Sequence, residues 1–326
     1  MITVPTVDSK ICNESLVILS ILQQVTQNKP VVLSTIGEGP CLASTGLYRI
    51  LDDICVQFDY PKQNITIRTS NWLERHNQYC IINEHANRHE LHGVQKHAGT
   101  IGNTKQFDYN FKHFGHFIGH SNRYRLQMAS YLYAHQRHRT LQSYHCNVTD
   151  EYHRNYMGLE DILYYGADKQ QFAEACDLIN SAPLIVDAVD SYPILQPANL
   201  NITKVYPNMF VEIVSLTFFS GNTFYVDEKI WRPILMKTPF MIQGPQDVIR
   251  NFRKLGFKTF HDFWDEGYGE DPDNCHVPAM IQNIQQLAKL SVTELEQMYI
   301  EMIPILEHNY SRLLELNDTH FFKIFQ

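Results

Sequence analysis

Two short stretches carry side chains that could do chemistry. Asp227-Glu228-Lys229 stands between a polar loop, Ser220-Gly221-Asn222-Thr223, and an apolar run that begins at Ile230-Trp231. The spacing predicts a helix opening here, with Asp227 as its N-cap. A lysine in the first turn opposes the helix dipole by roughly a few tenths of a kcal/mol. It fits better if an anion docks at that helix start, where N–H groups already favour phosphate. Glu228 would then accept hydrogen bonds from sugar or ribose hydroxyls, and Asn222 and Thr223 in the preceding loop would bind sugar hydroxyls too. The plain alternative is a surface turn with a local ion pair.

The second stretch is Ser121-Asn122-Arg123-Tyr124-Arg125. Ser121 or Asn122 caps a helix whose first turn holds two arginines. Two guanidiniums are the wrong charge for that dipole and the right charge for a diphosphate. Two solvated arginines are the plain alternative.

The elements that must position these residues follow from periodicity. Strand-like runs (PVVLSTI, NITIRTS, FKHFGHFIGHS, TLQSYH, MFVEIVSL, TPFMIQG) alternate with helix-like ones almost throughout. That alternation predicts an α/β fold of two layers with mostly parallel sheets, divided near residue 108. Both stretches then lie at the carboxyl ends of parallel strands, where open α/β sheets bind ligands. The first helix, NESLVILSILQQVTQNK, is expected to bury Leu16, Leu19, Ile21, Leu22 and Val25. NEHANRHELHGVQKH reads as polar surface. Ser291 and Glu294 form a capping box, and Pro304 should kink the last long helix.

At this point the chain resembles a known family. Phe111-x-x-Phe114-x-x-Phe117-Ile118-x-x-Ser121-Asn122, with an arginine early in the next helix, is similar to the start of the donor domain of α1,3-fucosyltransferases. VEIVSL…DEKIWRPILMKTPFMIQGP resembles that family's strand, loop, (Thr/Ser)-Glu-Lys helix, strand and Gly-Pro, with Asp227 in place of the usual Ser or Thr. The resemblance covers residues 111–245. It implies the GT-B architecture: two Rossmann-like domains facing a cleft. An acceptor-binding domain would span 1–108, a donor domain 109–290, and C-terminal helices 291–326 would cross back. It also implies that Glu228, Lys229 and Arg125, with Arg123 as the rival arginine, hold a nucleoside diphosphate sugar. Lys229 would offset charge on the departing diphosphate, an effect worth several kcal/mol in a dry cleft. No metal or other cofactor is then needed, in keeping with the lack of an Asp-x-Asp motif.

An inverting transfer needs a general base on the acceptor side. Glu38, in Gly37-Glu38-Gly39 after the first long strand, is the first candidate and Glu84 the second. Each also reads as an ordinary surface acid.

Composition limits the partners. The chain has 326 residues, 44% hydrophobic, and a formal charge of −8, which argues against a general nucleic-acid coat. Yet twelve of its 16 histidines fall between His76 and His153, and residues 61–170 hold 13 Lys or Arg against 9 Asp or Glu. The resemblance implies a glycan acceptor; the His- and Arg-rich middle segment leaves a modified DNA base as the alternative. The seven cysteines are widely spaced, with no Cys-x-x-Cys. That favours reduced thiols and a cytoplasmic setting. No membrane span is expected. A rival site, His85, His89 and Glu90, would make a metal-dependent hydrolase if helical. A third reading is a non-catalytic nucleotide- or glycan-binding protein.

Overall fold

A computed structural model describes residues 1–7, 10–35, 39–84, 88–99, 104–119, 121–144, 168–186, 202–219, 221–226, 228–269 and 276–325. The fold is α/β with two four-stranded parallel sheets. The first is built from β1 (Ile2–Thr3), β4 (Val31–Thr35), β5 (Ile65–Thr69) and β6 (Cys80–Asn83), in that spatial order. A two-residue antiparallel pair, β2 (Thr6–Val7) with β3 (Lys10–Ile11), precedes helix α1 (Glu14–Val25). Helix α2 (Leu47–Gln57) joins β4 to β5, and α3 (Arg88–His97) follows β6.

The second sheet holds β7 (Lys112–Ile118), β8 (Thr140–Tyr144), β9 (Met209–Ser215) and β10 (Phe240–Gln243), in the order β10-β9-β7-β8. Helix α4 (Arg123–Gln136) links β7 to β8, α5 (Lys169–Ser181) lies between β8 and β9, and α6 (Glu228–Leu235) links β9 to β10. Then come α7 (Val248–Lys254), α8 (His276–Leu287), α9 (Val292–Glu315) and α10 (Asp318–Phe325). No helix among the described residues is long and apolar enough to cross a membrane.

All seven residues of β9 are buried, as a strand covered on both faces requires. The larger core joins this sheet to α6, α7 and α9. A smaller core packs Val31, Leu33, Ile65 and Ile67 against α1 and α2. The α1 stripe is Val17, Ile21 and Val25, spaced by four, while Leu16 and Leu19 are 64% and 61% exposed. The helix is rotated from its expected setting because the strict i, i+4 row fits the sheet. Segment 88–97 is a helix rather than polar surface throughout: Leu91 and Val94, three apart, enter the larger core. The Ser291–Glu294 capping box is present, and α9 runs through Pro304 without ending there.

The last helix, α10, lies across the junction of the two sheets. Phe321 stacks on Trp72, ring centroids 5.0 Å apart, and Phe325 sits 5.0 Å from Phe224.

Inside the second sheet is a buried charge cluster. Glu212 of β9 is 1% exposed and accepts a hydrogen bond from the Tyr206 hydroxyl at 2.6 Å. Arg232 of α6 approaches its other oxygen at 3.5 Å. The Lys105 side-chain nitrogen donates to the carbonyls of Tyr206 and Met209 and to Thr238 Oγ1, at 2.6–2.8 Å. Burial lowers its proton affinity well below that of an ordinary lysine, against the pull of Glu212. Burial pushes the Glu212 carboxyl up to about 7, against the pull of Arg232.

Candidate functional site

The strand order creates a topological switch point. The chain leaves β7 toward β8 on one side and leaves β9 toward β10 on the other, while β7 and β9 are hydrogen-bonded neighbours. The connections diverge, and the carboxyl ends of strands at such a point are where open α/β sheets bind ligands.

Helix α4 starts at that edge and is tied down by its own first turn. Asn122 is the N-cap: its side-chain oxygen accepts from Arg125 N at 2.9 Å, and its amide donates to Thr217 O at 3.1 Å. Arg125 is 2% exposed; its Nε donates to Leu216 O at 3.0 Å and its Nη2 to Thr217 Oγ1 at 2.9 Å. Two of its donors are therefore spent on the loop that leaves β9, which makes Arg125 a brace between the two strand ends. Ser121, 2% exposed, is hydrogen-bonded to the Tyr144 hydroxyl at 2.5 Å and so fastens β7 to β8.

Arg123 is the more open arginine, half-buried. Its guanidinium lies 4.5 Å over the Tyr124 ring, and Tyr124 stacks on Phe219 at 4.5 Å with 22° between planes. A cation and two aromatic rings thus pile at the start of α4, an arrangement that keeps a flat charged group oriented. Phe219 joins the site only through this stack, which needs two loops brought together.

Lys229 is half-buried in the first turn of α6. Glu228 begins that helix, its side chain lying outside the described residues, as does Asp227. Arg123, Arg125 and Lys229 therefore sit on two helix starts that follow adjacent parallel strands. Asn222 is exposed. Thr223 is 1% exposed and its hydroxyl donates to Gly39 O, which turns it toward the first sheet.

That contact belongs to a seam between loops of the two sheets, organised by Asn71, a fully buried residue. The Asn71 amide nitrogen is within 3.3 Å of Pro40 O, 3.2 Å of Glu74 Oε2 and 3.0 Å of Asn222 O. Its oxygen accepts from Leu73 N and Phe224 N, both at 3.0 Å. Trp72 N donates to Phe224 O at 3.0 Å. Two glycines allow this approach. A Cβ on Gly39 would lie 2.5 Å from Asn71 N. Gly221 has φ +75°, and a Cβ there would meet Ser44 and come within 2.7 Å of Cys41 Sγ.

The acidic candidates fare differently. Glu38 lies outside the described residues. Glu84 is held by Arg68 through two parallel bonds, Nε at 2.6 Å and Nη2 at 2.7 Å, so a base role requires that pair to open. Glu74, which the sequence reading did not single out, is 6% exposed at the seam. It accepts from Leu42 N at 3.0 Å, Tyr48 Oη at 2.8 Å and Asn71. Burial raises its carboxyl above the usual range, although those hydrogen bonds oppose the shift. Its one sequence signal is Asn71-x-x-Glu74 directly after a strand.

Of the rival metal set, His85 and the side chains of His89 and Glu90 lie outside the described residues. Among the described residues no three metal-ligating side chains cluster. No protein-family model, curated protein or solved structure matches this chain.

Proposed function

We propose that the protein is a glycosyltransferase of GT-B type, moving a sugar from a nucleoside diphosphate sugar to an acceptor hydroxyl with inversion. The observation that carries this reading is the β7–β9 switch point, with cationic first turns following both strands; in this reading the donor lies in a crevice between them. In this reading Lys229 and Arg123 face the diphosphate. Arg125 holds the β9 loop in place behind them. Glu228 and Asn222 contact hydroxyls of the donor. Thr223 and Ser121, whose hydroxyls are committed to Gly39 and Tyr144, shape the pocket wall.

The chemistry is a single displacement. The acceptor oxygen bonds to the anomeric carbon as the bond from that carbon to the diphosphate oxygen breaks. The acceptor proton passes to a carboxylate of the first unit, Glu38 or Glu84. Glu74 joins them as a candidate because its raised proton affinity suits a base. Charge grows on the departing diphosphate, and preorganised cations there act where charge develops. Losing one such contact typically costs about 10²–10³ in rate. The acceptor is a glycan or a modified DNA base.

A second reading, a nucleotide- or glycan-binding protein without turnover, is favoured by the Arg68 clamp on Glu84. A panel of nucleoside diphosphate sugars tests both. At about 100 times its dissociation constant, the right donor adds about 2.7 kcal/mol to stability and raises the melting temperature. Stabilisation with donor turnover supports the transferase, and stabilisation without turnover the binder. A flat response across the panel removes the transferase and the nucleotide binder, and a glycan panel then tests the glycan binder.

A further inference from the structure

A chain of buried polar side chains runs beneath the β7–β9 edge, and its hydrogen-bond directions can be read. Gln243, the last residue of β10, donates from its amide nitrogen to Tyr124 O in the first turn of α4, at 3.1 Å. Its oxygen therefore faces Ser215, the residue paired with it on β9, and accepts the Ser215 hydroxyl proton at 2.5 Å. That uses the only proton Ser215 has. Ser215 Oγ must then accept from His116 Nε2 on β7, 3.0 Å away. His116 accordingly carries its proton on Nε2. Its Nδ1 is left as a bare acceptor with no partner among the described residues, on a side chain that is fully buried. Ser215 and Gln243 are 3% and 1% exposed, so water does not compete for these bonds.

The polarity of this chain has one consequence for α4. Were the proton on Nδ1, Ser215 would donate to Nε2, the Gln243 oxygen would lose its donor, and the amide would no longer be held toward Tyr124. We infer that His116, Ser215 and Gln243 are positioning residues: the Nε2–H tautomer of His116 sets a one-way relay that fixes the first turn of α4, and with it Arg123 and Arg125. Burial and the Arg125 charge keep the imidazole neutral, down at about 3, so Nδ1 stays a bare acceptor through ordinary changes of pH.

The effect on a ligand rests on the nucleotide-sugar reading; the tautomer does not. The test uses the full chain labelled with ¹⁵N. Expected are an Nε2-protonated His116 that does not titrate between about pH 5 and 8, and an Arg125 Nε–H resonance that moves in both Ser215→Ala and Gln243→Leu. Affinity for UDP or GDP, whichever the wild type binds, should fall about tenfold in both variants. Ser215→Thr, which keeps the hydroxyl, should restore the resonance and the affinity. A His116 protonated on Nδ1, or an Arg125 resonance unmoved in both variants, overturns the relay. A wild type that binds no nucleoside diphosphate overturns the nucleotide-sugar reading alone, since the two resonances still decide the relay.

Discussion

Glu212→Leu should lower the unfolding free energy by about 3 kcal/mol or more at acidic pH, and by less above neutral. At acidic pH the carboxyl is protonated, accepts from the Tyr206 hydroxyl at 2.6 Å and lies 3.5 Å from Arg232. Removing it takes that acceptor from both buried groups, at about 1–3 kcal/mol each and more for a charged one. The same residue makes stability depend on pH. Its carboxyl rises from an ordinary 4.5 to about 7 in the folded protein, so the native state holds a proton more tightly than the unfolded chain. This contribution is fully present below 4.5 and is lost as pH climbs through 7, by at most about 1.4 kcal/mol per unit. Urea titrations of the wild type and Glu212→Gln across that window check the sign. The glutamine variant should lack this component of the slope. Parallel profiles would mean that Glu212 titrates alike in both states.

Asn71→Leu should cost about 3 kcal/mol or more, because it strands buried backbone groups at about 1–3 kcal/mol each. Phe224 N and Asn222 O on one side of the seam, and Leu73 N and Pro40 O on the other, lose the same side chain. Asn71→Asp keeps the acceptor for Phe224 and Leu73 but sets a second carboxylate against Glu74, so it should not rescue. Hydrogen exchange should accelerate together in 39–42 and 221–226, since one residue closes both loops. A loss under about 1 kcal/mol, or acceleration in one loop only, would show that the seam does not depend on Asn71.

Much of the frame was legible because it is local. Alternating periodicity announced parallel sheets, and Ser291 with Glu294 announced a helix start. Burial of a mixed face was harder. Leu16 and Leu19 look like core by type, yet the i, i+4 row of Val17, Ile21 and Val25 fits the sheet better. Helix α3 was missed because only Leu91 and Val94 stand out from its polar neighbours. The site divides along the same line. That Arg123, Arg125 and Lys229 begin helices could be read from spacing. That Arg125 braces Leu216 and Thr217 could not, because those partners lie ninety residues away in sequence. Asn71, Glu74 and Gln243 escaped for the same reason: each gains its meaning from loops that only the fold brings together. Glu212 is a lone acid inside the apolar strand MFVEIVS that the sequence reading passed over, and nothing near it in sequence names its partner Arg232.

If the β7–β9 edge holds a diphosphate between two cationic helix starts, removing one of the cations must weaken it. Calorimetric titration of nucleoside diphosphate sugars into the wild type and Lys229→Ala measures this. One-site binding to the wild type and a loss of at least about tenfold, or 1.4 kcal/mol, in the variant are expected. Equal affinity in the two proteins, or no heat from any nucleotide sugar with the wild type, would contradict this placement of the diphosphate.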